Sequence, residues 1–140
     1  MIILDTNVLS ELMRPKPSPQ VAAWVAEQPT MELFTTSITE AEIFYGIELL
    51  SGGTRRDALL AAAQAMFAED LGGRILAFES EAARVFSKIA VQRRRKGRPI
   101  SHADAQIAAI AQLRAAKLAT RNVADFGDCG IDVIDPWSVS

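Results

Sequence analysis

The chain has 140 residues, 49% of them hydrophobic, and a formal net charge of −2. This size and apolar content predict a single domain over residues 1–140 with its own core. One cysteine and one histidine exclude an internal disulfide and a zinc site built from Cys and His. The sequence shows neither a signal peptide nor a membrane-spanning segment. It therefore predicts a soluble, cytoplasmic protein with no membrane partner.

Short β-rich runs alternate with longer helical patterns along the chain. The predicted strands are residues 2–4, 32–36, 74–78, 117–120 and 131–134. Predicted helices lie between them: one before and one after residues 15–19, one containing Ile43 and Ile47, and three over residues 59–71, 82–95 and 103–116. Strands separated by helices imply βαβ crossovers. The predicted fold class is therefore α/β, with a mainly parallel sheet covered on both faces.

Four acidic residues stand where a predicted strand ends or a predicted helix begins: Asp5, Glu42, Asp104 and Asp125. In a parallel sheet the carboxyl ends of the strands and the amino ends of the following helices meet on one rim, where such residues can converge. Their mutual repulsion would raise at least one pKa and favour binding of a divalent cation. Because oxygen-only ligands select a hard ion, the layout predicts a site for Mg²⁺, or for Mn²⁺ in its place.

Three of these acids have a purely structural alternative. A capping residue precedes each by three positions, as in a capping box, in residues 39–42, 101–104 and 122–125. Asp5 differs because it directly follows an apolar strand, where a helix cap would more naturally come from Thr6 or Asn7. A buried carboxylate is costly unless it is paired or binds a metal, so Asp5 is the clearest candidate ligand.

The sequence lacks the residues and motifs that most other catalytic mechanisms need. His102 is the only histidine and no Gly-x-Ser-x-Gly motif accompanies it, which disfavours a Ser-His-Asp triad. The chain also has neither a phosphate-binding glycine loop nor a dinucleotide fingerprint. A metal-activated water needs no nucleophilic side chain and suits phosphodiester hydrolysis.

Seven of the fifteen basic residues lie between Arg84 and Arg98. The densest part can attract phosphate through its local field, despite the negative net charge: Arg93, Arg94, Arg95, Lys96 and Arg98. The alternative is a solvated helix end, where cations oppose the negative end of the helix dipole.

Four segments carry the acids in order: residues 1–10 (MIILDTNVLS), 42–46 (EIFYG), 102–108 (HADAQIA) and 118–126 (LATRNVADF). Together they resemble the PIN-domain ribonucleases, and in particular the VapC-type toxins of bacterial toxin–antitoxin pairs, including their FitB-like branch. The resemblance implies a three-layer α/β/α fold around about five mainly parallel strands. It also implies a Mg²⁺-dependent endoribonuclease that cleaves structured RNA, often tRNA or ribosomal RNA, and arrests translation.

The same resemblance assigns roles at the site. Asp5 and Asp104 would be direct metal ligands, and Glu42 would complete the site directly or through water. The fourth catalytic position stays open, because many relatives have an acid where this chain has Asn122: Asp125 takes that role, or Asn122 orients a water. Neighbouring polar residues of the motifs are expected to support the site: Thr6, Asn7, Thr120 and Asn122. The basic stretch would then hold the RNA backbone.

The family further implies a homodimer, a cognate VapB-like antitoxin and a higher assembly of both on operator DNA. The antitoxin's carboxy-terminal segment would lie across the active-site groove. Four aromatic residues are either part of that groove or ordinary core: Trp24, Phe34, Phe44 and Tyr45.

Two rival functions come from other classes. One is a PIN-like binding module with a weak metal site, which acts in a DNA-bound regulatory complex. The other is a phosphotransfer enzyme with Asp5 as nucleophile, although such enzymes usually carry a second acid where this chain has Asn7.

Overall fold

The computed structural model describes residues 1–138. Its five strands are β1 (Ile2–Leu4), β2 (Leu33–Thr36), β3 (Ile75–Leu76), β4 (Lys117–Ala119) and β5 (Val133–Ile134). All neighbouring strands pair in parallel, in the order β3-β2-β1-β4-β5. The predicted parallel sheet is therefore confirmed.

Six α-helices connect and flank these strands within the described residues. They are α1 (Thr6–Leu12), α2 (Pro19–Glu27), α3 (Ser37–Glu48), α4 (Thr54–Ala65), α5 (Ser80–Arg95) and α6 (His102–Leu113). A π-helical turn, Met66–Asp70, continues α4, and short 3₁₀ turns occupy Thr30–Glu32 and Val123–Phe126.

Strand side chains alternate between two core clusters, one on each face of the sheet. Ile3 and Leu118 pack into the cluster formed with α5 and α6. Leu4 and Ala119 point the other way, into the cluster formed with α1 to α4. Because both faces are covered, the strands are apolar on both sides, as in other parallel sheets. This is the expected three-layer α/β/α arrangement.

Helix α6 packs through small side chains and carries Asp104 in its first turn. A continuous run of its residues is almost fully buried, from Ile107 to Ala111. The helix predicted in this region is therefore present, and it is a buried one. Close packing against α5 fixes the amino end of α6, and with it the position of Asp104.

Several predicted boundaries were wrong. Strand β5 covers only Val133–Ile134 of the predicted 131–134, and α6 ends at Leu113, before the predicted residue 116. Helix α4 begins at Thr54, not at residue 59, because its first turn is polar and gave no apolar pattern; Gly53 precedes it with a φ of 147°. Strand β3 covers only Ile75–Leu76 of the predicted 74–78, and Ala77 is already exposed.

The order of the strands places the candidate site. From β1 the chain passes to β2 on one side, and it later returns to β4 on the other. The crevice at such a reversal, outside the carboxyl ends of the strands, is where open α/β sheets bind ligands. Asp5 follows β1 at this point and Thr120 follows β4. No helix among residues 1–138 is long and apolar enough to cross a membrane.

Candidate active site

Asp5 is buried at the junction between β1 and α1, with 4% of its surface exposed. Its Oδ1 accepts a 2.8 Å hydrogen bond from the backbone N–H of Thr6, and its Oδ2 accepts a 2.7 Å bond from Thr120 Oγ1. Asp5 is itself the N-cap of α1. The expectation that Thr6 or Asn7 would cap this helix was wrong, because the chain turns into the helix immediately after Leu4.

Thr120 is the centre of the network behind Asp5. Its Oγ1 donates to Asp5 and accepts two 3.1 Å bonds, from Asn7 Nδ2 and from the backbone N–H of Asn122. The hydroxyl therefore uses its one donor and two acceptor positions. Such a saturated network fixes the orientation of the Asp5 carboxylate.

Glu42 reaches the site from inside a helix. Its Oε1 accepts a 2.7 Å hydrogen bond from Thr6 Oγ1. Helix α3 begins earlier than the motif suggested, with Thr36 as N-cap and its side chain accepting from the backbone of Thr39. The capping-box alternative for Glu42 was therefore wrong, and its carboxylate is an exposed group facing the first helix.

Asp104 stands in the first turn of α6. The predicted cap is present there, since Ser101 Oγ accepts a 3.2 Å bond from the backbone N–H of Asp104. Partial burial and the negative charge of Asp5 raise the pKa of Asp104 to about 6. Burial also raises the pKa of Asp5, while the hydrogen bonds from Thr120 and Thr6 act against that rise. The backbone of Asp104 thus takes part in the helix cap, while its carboxylate lies close to another acid.

The two candidates for the fourth position occupy different places. Asn122 lines the same cleft as Asp5, Glu42 and Asp104. Asp125 lies in the following 3₁₀ turn and is exposed, and it does not line the cleft. Its charge nevertheless raises the pKa of both Asp5 and Asp104. The Asn122 side chain makes no capping bond in this turn, so the capping-box alternative was wrong for Asp125 as well.

These groups open onto a cleft of about 560 Å³. Sequence reasoning missed several of the residues that line it: Ser10, Glu11, Arg14, Arg121 and Trp137. Arg121 stands between two predicted site residues, so its position in the motif could have identified it. Trp137 lies beyond β5, and no spacing in the sequence indicates that it returns to the cleft.

The cleft acids do not form a preassembled cage. Among residues 1–138, no three His, Cys, Asp or Glu side chains are placed to hold one metal ion together. However, Asp5 and Asp104 face the same cleft, and the negative charge of Asp5 contributes to the raised pKa of Asp104. Mg²⁺ is usually held by one or two carboxylates and several waters. The donor set therefore fits a hydrated hard cation better than one ligated by protein alone.

The predicted phosphate-binding stretch divides into two kinds of residue. Arg93 is only 4% exposed, and its guanidinium donates to the carbonyls of Arg98, Asp125 and Gly127 at 2.8–2.9 Å. The prediction that Arg93 contacts RNA was wrong, because its side chain is buried and donates to backbone carbonyls of the protein. Arg94 and Arg95 are exposed, as the prediction requires.

Lys96 and Arg98 are exposed but already paired. Both approach Asp128, at 3.7 Å and 3.0 Å respectively, and Arg98 also donates to the carbonyl of Ala124. They brace the loop that carries Asp125. Their contact with RNA stays a prediction.

The two alternatives for the four aromatic residues, partner groove and ordinary core, are decided for three of them. Trp24, Phe34 and Phe44 are packed in or against the two core clusters, and Phe44 lies 5.6 Å from the ring of Phe67. Tyr45 is 68% exposed on α3 and lines no described cavity. Core packing, the alternative, applies to the first three.

The sequence model of the PIN domain matches residues 2–127. The chain belongs to the PIN-domain family. This PIN domain is 36% identical to VapC ribonuclease Y4jK of Sinorhizobium fredii over 137 residues, covering 98% of each chain. It is 34% identical to toxin FitB of Neisseria gonorrhoeae, covering 98% of this chain and 99% of FitB.

A solved structure, FitAB bound to an IR36 DNA fragment, matches this PIN domain with a TM-score of 0.93 and 33% identity. The match covers 100% of this chain and 98% of the other. The predicted resemblance to VapC-type and FitB-like toxins is confirmed.

Proposed function

We propose that this PIN domain is a Mg²⁺-dependent endoribonuclease toxin that cleaves structured RNA, either tRNA or ribosomal RNA. A cognate VapB-like antitoxin neutralises it. The observation that carries the proposal is the pair of crowded carboxylates, Asp5 and Asp104, that open onto one cleft at the strand-order reversal. The ribonuclease and toxin names of its relatives support the same activity.

In this proposal Asp5 and Asp104 hold the ion, and Glu42 completes the site through a water. Bound Mg²⁺ would supply an activated water and offset charge that develops on the phosphodiester. The Thr120 hydroxyl orients Asp5 and opposes the rise in its pKa, because hydrogen bonding favours the charged form. Thr6 orients Glu42 through the hydrogen bond to its Oε1.

The fourth position is assigned to Asn122 rather than Asp125. Asn122 lines the cleft and its backbone is tied to Thr120, so its amide can orient a water beside the phosphate. Asp125 acts at longer range, through its negative charge. Asn122→Ala should therefore reduce cleavage more than Asp125→Asn, and the reverse order would reassign the position.

The antitoxin segment is proposed to occupy an apolar groove next to the acid cleft. The groove has a volume of about 520 Å³ and lies between α1, α3 and α4. Its apolar lining comes chiefly from Met13, Ile43, Ile47, Leu50 and Leu59. Thr6, Ser10, Arg14 and Glu42 line both groove and cleft, so an amphipathic helix in the groove would cover the acids.

A homodimer, and a larger assembly with the antitoxin on operator DNA, complete the proposed partners. The DNA-bound FitAB structure supports this assembly. It also favours a second candidate function, in which the domain is a catalytically weak module of a DNA-bound regulatory complex. The lack of a preassembled three-ligand group within residues 1–138 is the observation in its favour.

One experiment separates the two functions. Total tRNA and ribosomal RNA are incubated with antitoxin-free wild type, Asp5→Asn or Asp57→Asn, in Mg²⁺, Mn²⁺ or EDTA. Asparagine caps a helix as well as aspartate does, so Asp5→Asn should keep the fold. Asp57 is a first-turn acid of α4, remote from the cleft lining, and serves as the matched control.

The nuclease predicts discrete cuts by wild type and Asp57→Asn that need a divalent ion and are absent from Asp5→Asn. The binding module predicts equal RNA patterns for all three proteins, together with tight antitoxin binding.

A further inference from the structure

Arg121 and Trp137 form a stacked pair on the wall of the acid cleft. The guanidinium carbon of Arg121 lies 5.1 Å from the centroid of the Trp137 ring. Both residues line the cleft that contains Asp5 and Asp104. A cation within about 6 Å of an indole face is attracted by the ring's negative quadrupole. The indole thus holds the guanidinium plane at the edge of the site.

Both members of the pair are anchored to the site itself. The backbone N–H of Arg121 donates to Asn7 Oδ1 at 3.2 Å, and Asn7 in turn donates to the hydroxyl that orients Asp5. The backbone N–H of Trp137 donates to Asp135 Oδ1 at 2.9 Å, and its ring packs against the core cluster of α1 to α4. The distance from Arg121 to Asp5 is therefore set by a short chain of hydrogen bonds.

The charge of Arg121 is not used by the neighbouring acids. The other cation of the cleft, Arg14, lies 3.3 Å from the Glu11 carboxylate. Among residues 1–138, no carboxylate lies within 4.0 Å of the Arg121 guanidinium, although four acids line the same cleft. An exposed arginine that stacks on indole in an acidic cleft keeps its hydrogen-bond donors available for an incoming anion.

We propose that Arg121, oriented by Trp137, binds a backbone phosphate of the RNA next to the one that is cleaved. The inference rests on the proposed function, because it takes RNA as the substrate. The planar guanidinium presents paired N–H donors that match two phosphate oxygens, whereas an ammonium is a point charge. Trp137 acts as a positioning residue through the stack.

The test measures RNA binding in a Trp24→Phe background, where Trp137 is the only tryptophan. Asp104→Asn is added so that the RNA stays intact. A short mixed-sequence single-stranded RNA is titrated at several salt concentrations while Trp137 fluorescence is followed. Arg121→Gln, Arg121→Lys and the control Arg114→Gln are compared. Arg114 is an exposed arginine that lines a different depression, next to Leu113.

Arg121→Gln is expected to weaken binding about tenfold and to reduce the salt slope by about 0.7, which is one lost phosphate contact on single-stranded RNA. Arg121→Lys should retain most of the slope and lose part of the affinity. Arg114→Gln should behave as its parent.

Weaker binding of Arg121→Gln with an unchanged slope would overturn the phosphate contact and indicate base stacking on the guanidinium. Identical binding by Arg121→Gln and Arg114→Gln, while Asp5-dependent cleavage persists, would overturn the inference and leave the nuclease intact. Failure of the parent to bind RNA, with no Asp5-dependent cleavage, would contradict both this inference and the proposed nuclease function.

Discussion

Thr120 and Asp5 are joined by a 2.7 Å hydrogen bond that links positions 115 residues apart. The bond runs between the carboxyl ends of two adjacent parallel strands, β4 and β1. Burial raises the pKa of Asp5, and the Thr120 hydroxyl is the strongest group acting against that rise. One threonine therefore orients the central carboxylate and opposes the effect of burial on its pKa.

Thr120→Val should reduce cleavage at pH 7 by about tenfold or more, since it removes the donor to Asp5 and leaves two N–H groups without an acceptor. Loss of these partly buried hydrogen bonds should also lower the free energy of unfolding by about 1–3 kcal/mol. Because the pKa of Asp5 rises further, the acid limb of the pH–activity profile should move to higher pH. Thr120→Ser keeps the hydroxyl, so its cleavage rate, free energy of unfolding and acid limb should stay close to those of wild type. An unmoved acid limb in Thr120→Val would show that the bond does not control the ionisation of Asp5.

Asp104→Asn should stabilise the protein at neutral pH when divalent ions are absent. The pKa of Asp104 is about 6 in the folded chain and 3.8 in the reference state, so its charge opposes folding above pH 6 and costs nothing below about pH 4. Because the group is only partly buried, the gain should be about 1 kcal/mol, well under the full value of two pKa units. Urea unfolding at pH 4 and pH 7.5 measures it.

Asp57→Asn is the control, since it removes only a favourable charge from a helix first turn. A loss of stability in Asp104→Asn at pH 7.5, equal to that of Asp57→Asn, would mean that Asp104 is a helix-start residue and not a crowded ligand.

Gly46→Trp should weaken binding of the proposed antitoxin. Gly46 lines the proposed antitoxin groove on α3, and a Cβ placed there meets no atom within 4 Å. A large side chain would therefore fill the groove without disturbing the core. Tyr45→Trp adds the same ring to the exposed neighbour outside the groove and is the control. Affinity for the antitoxin is measured by calorimetry and cleavage by gel.

Gly46→Ala serves as a second check, because it should stabilise the helix by about 0.5–1 kcal/mol and leave antitoxin binding in place. Equal antitoxin affinity for Gly46→Trp and Tyr45→Trp would place the partner on another surface.

Arg93→Met should destabilise the fold by about 2–3 kcal/mol, because three backbone carbonyls lose a charged donor. Arg94→Met, at an exposed neighbour, should change stability by less than about 0.5 kcal/mol. Thermal unfolding of the two variants makes the comparison. Similar melting temperatures would contradict the structural role assigned to Arg93.

RNA binding by the exposed pair Arg94 and Arg95 stays a prediction. Neutralising both to glutamine should lower the salt slope of RNA binding by about 1.4 if each meets one phosphate of a single strand. An unchanged slope would remove this pair from the RNA-binding surface.

The sequence was informative about the sheet and the acids because both follow local rules. Alternating strands and helices imply parallel crossovers, and the strand ends then share a rim, which brought Asp5, Glu42 and Asp104 to one cleft. Helix starts were harder to place. The polar first turn of α4 has no apolar period, and the Thr39–Glu42 spacing imitates a cap although α3 begins two residues earlier than Thr39.

The spacing of residues in the sequence did not indicate which distant groups a side chain contacts. Arg93 resembles its exposed neighbours in sequence, yet the helix turns it inward onto the loop that carries Asp125. Trp137 enters the cleft only because the segment after β5 folds back across Arg121. Both depend on tertiary contacts between distant segments, which local patterns do not encode.

In the proposed mechanism, the cleft carboxylates and a divalent ion deliver water to an RNA phosphodiester. Cleavage of a defined RNA in ¹⁸O-labelled water, followed by mass spectrometry of the product ends, tests it most directly. The account predicts one ¹⁸O in the terminal phosphate, no 2′,3′-cyclic phosphate, and loss of the product in EDTA or in Asp5→Asn. A cyclic phosphate without ¹⁸O, or the same products from Asp5→Asn, would contradict it.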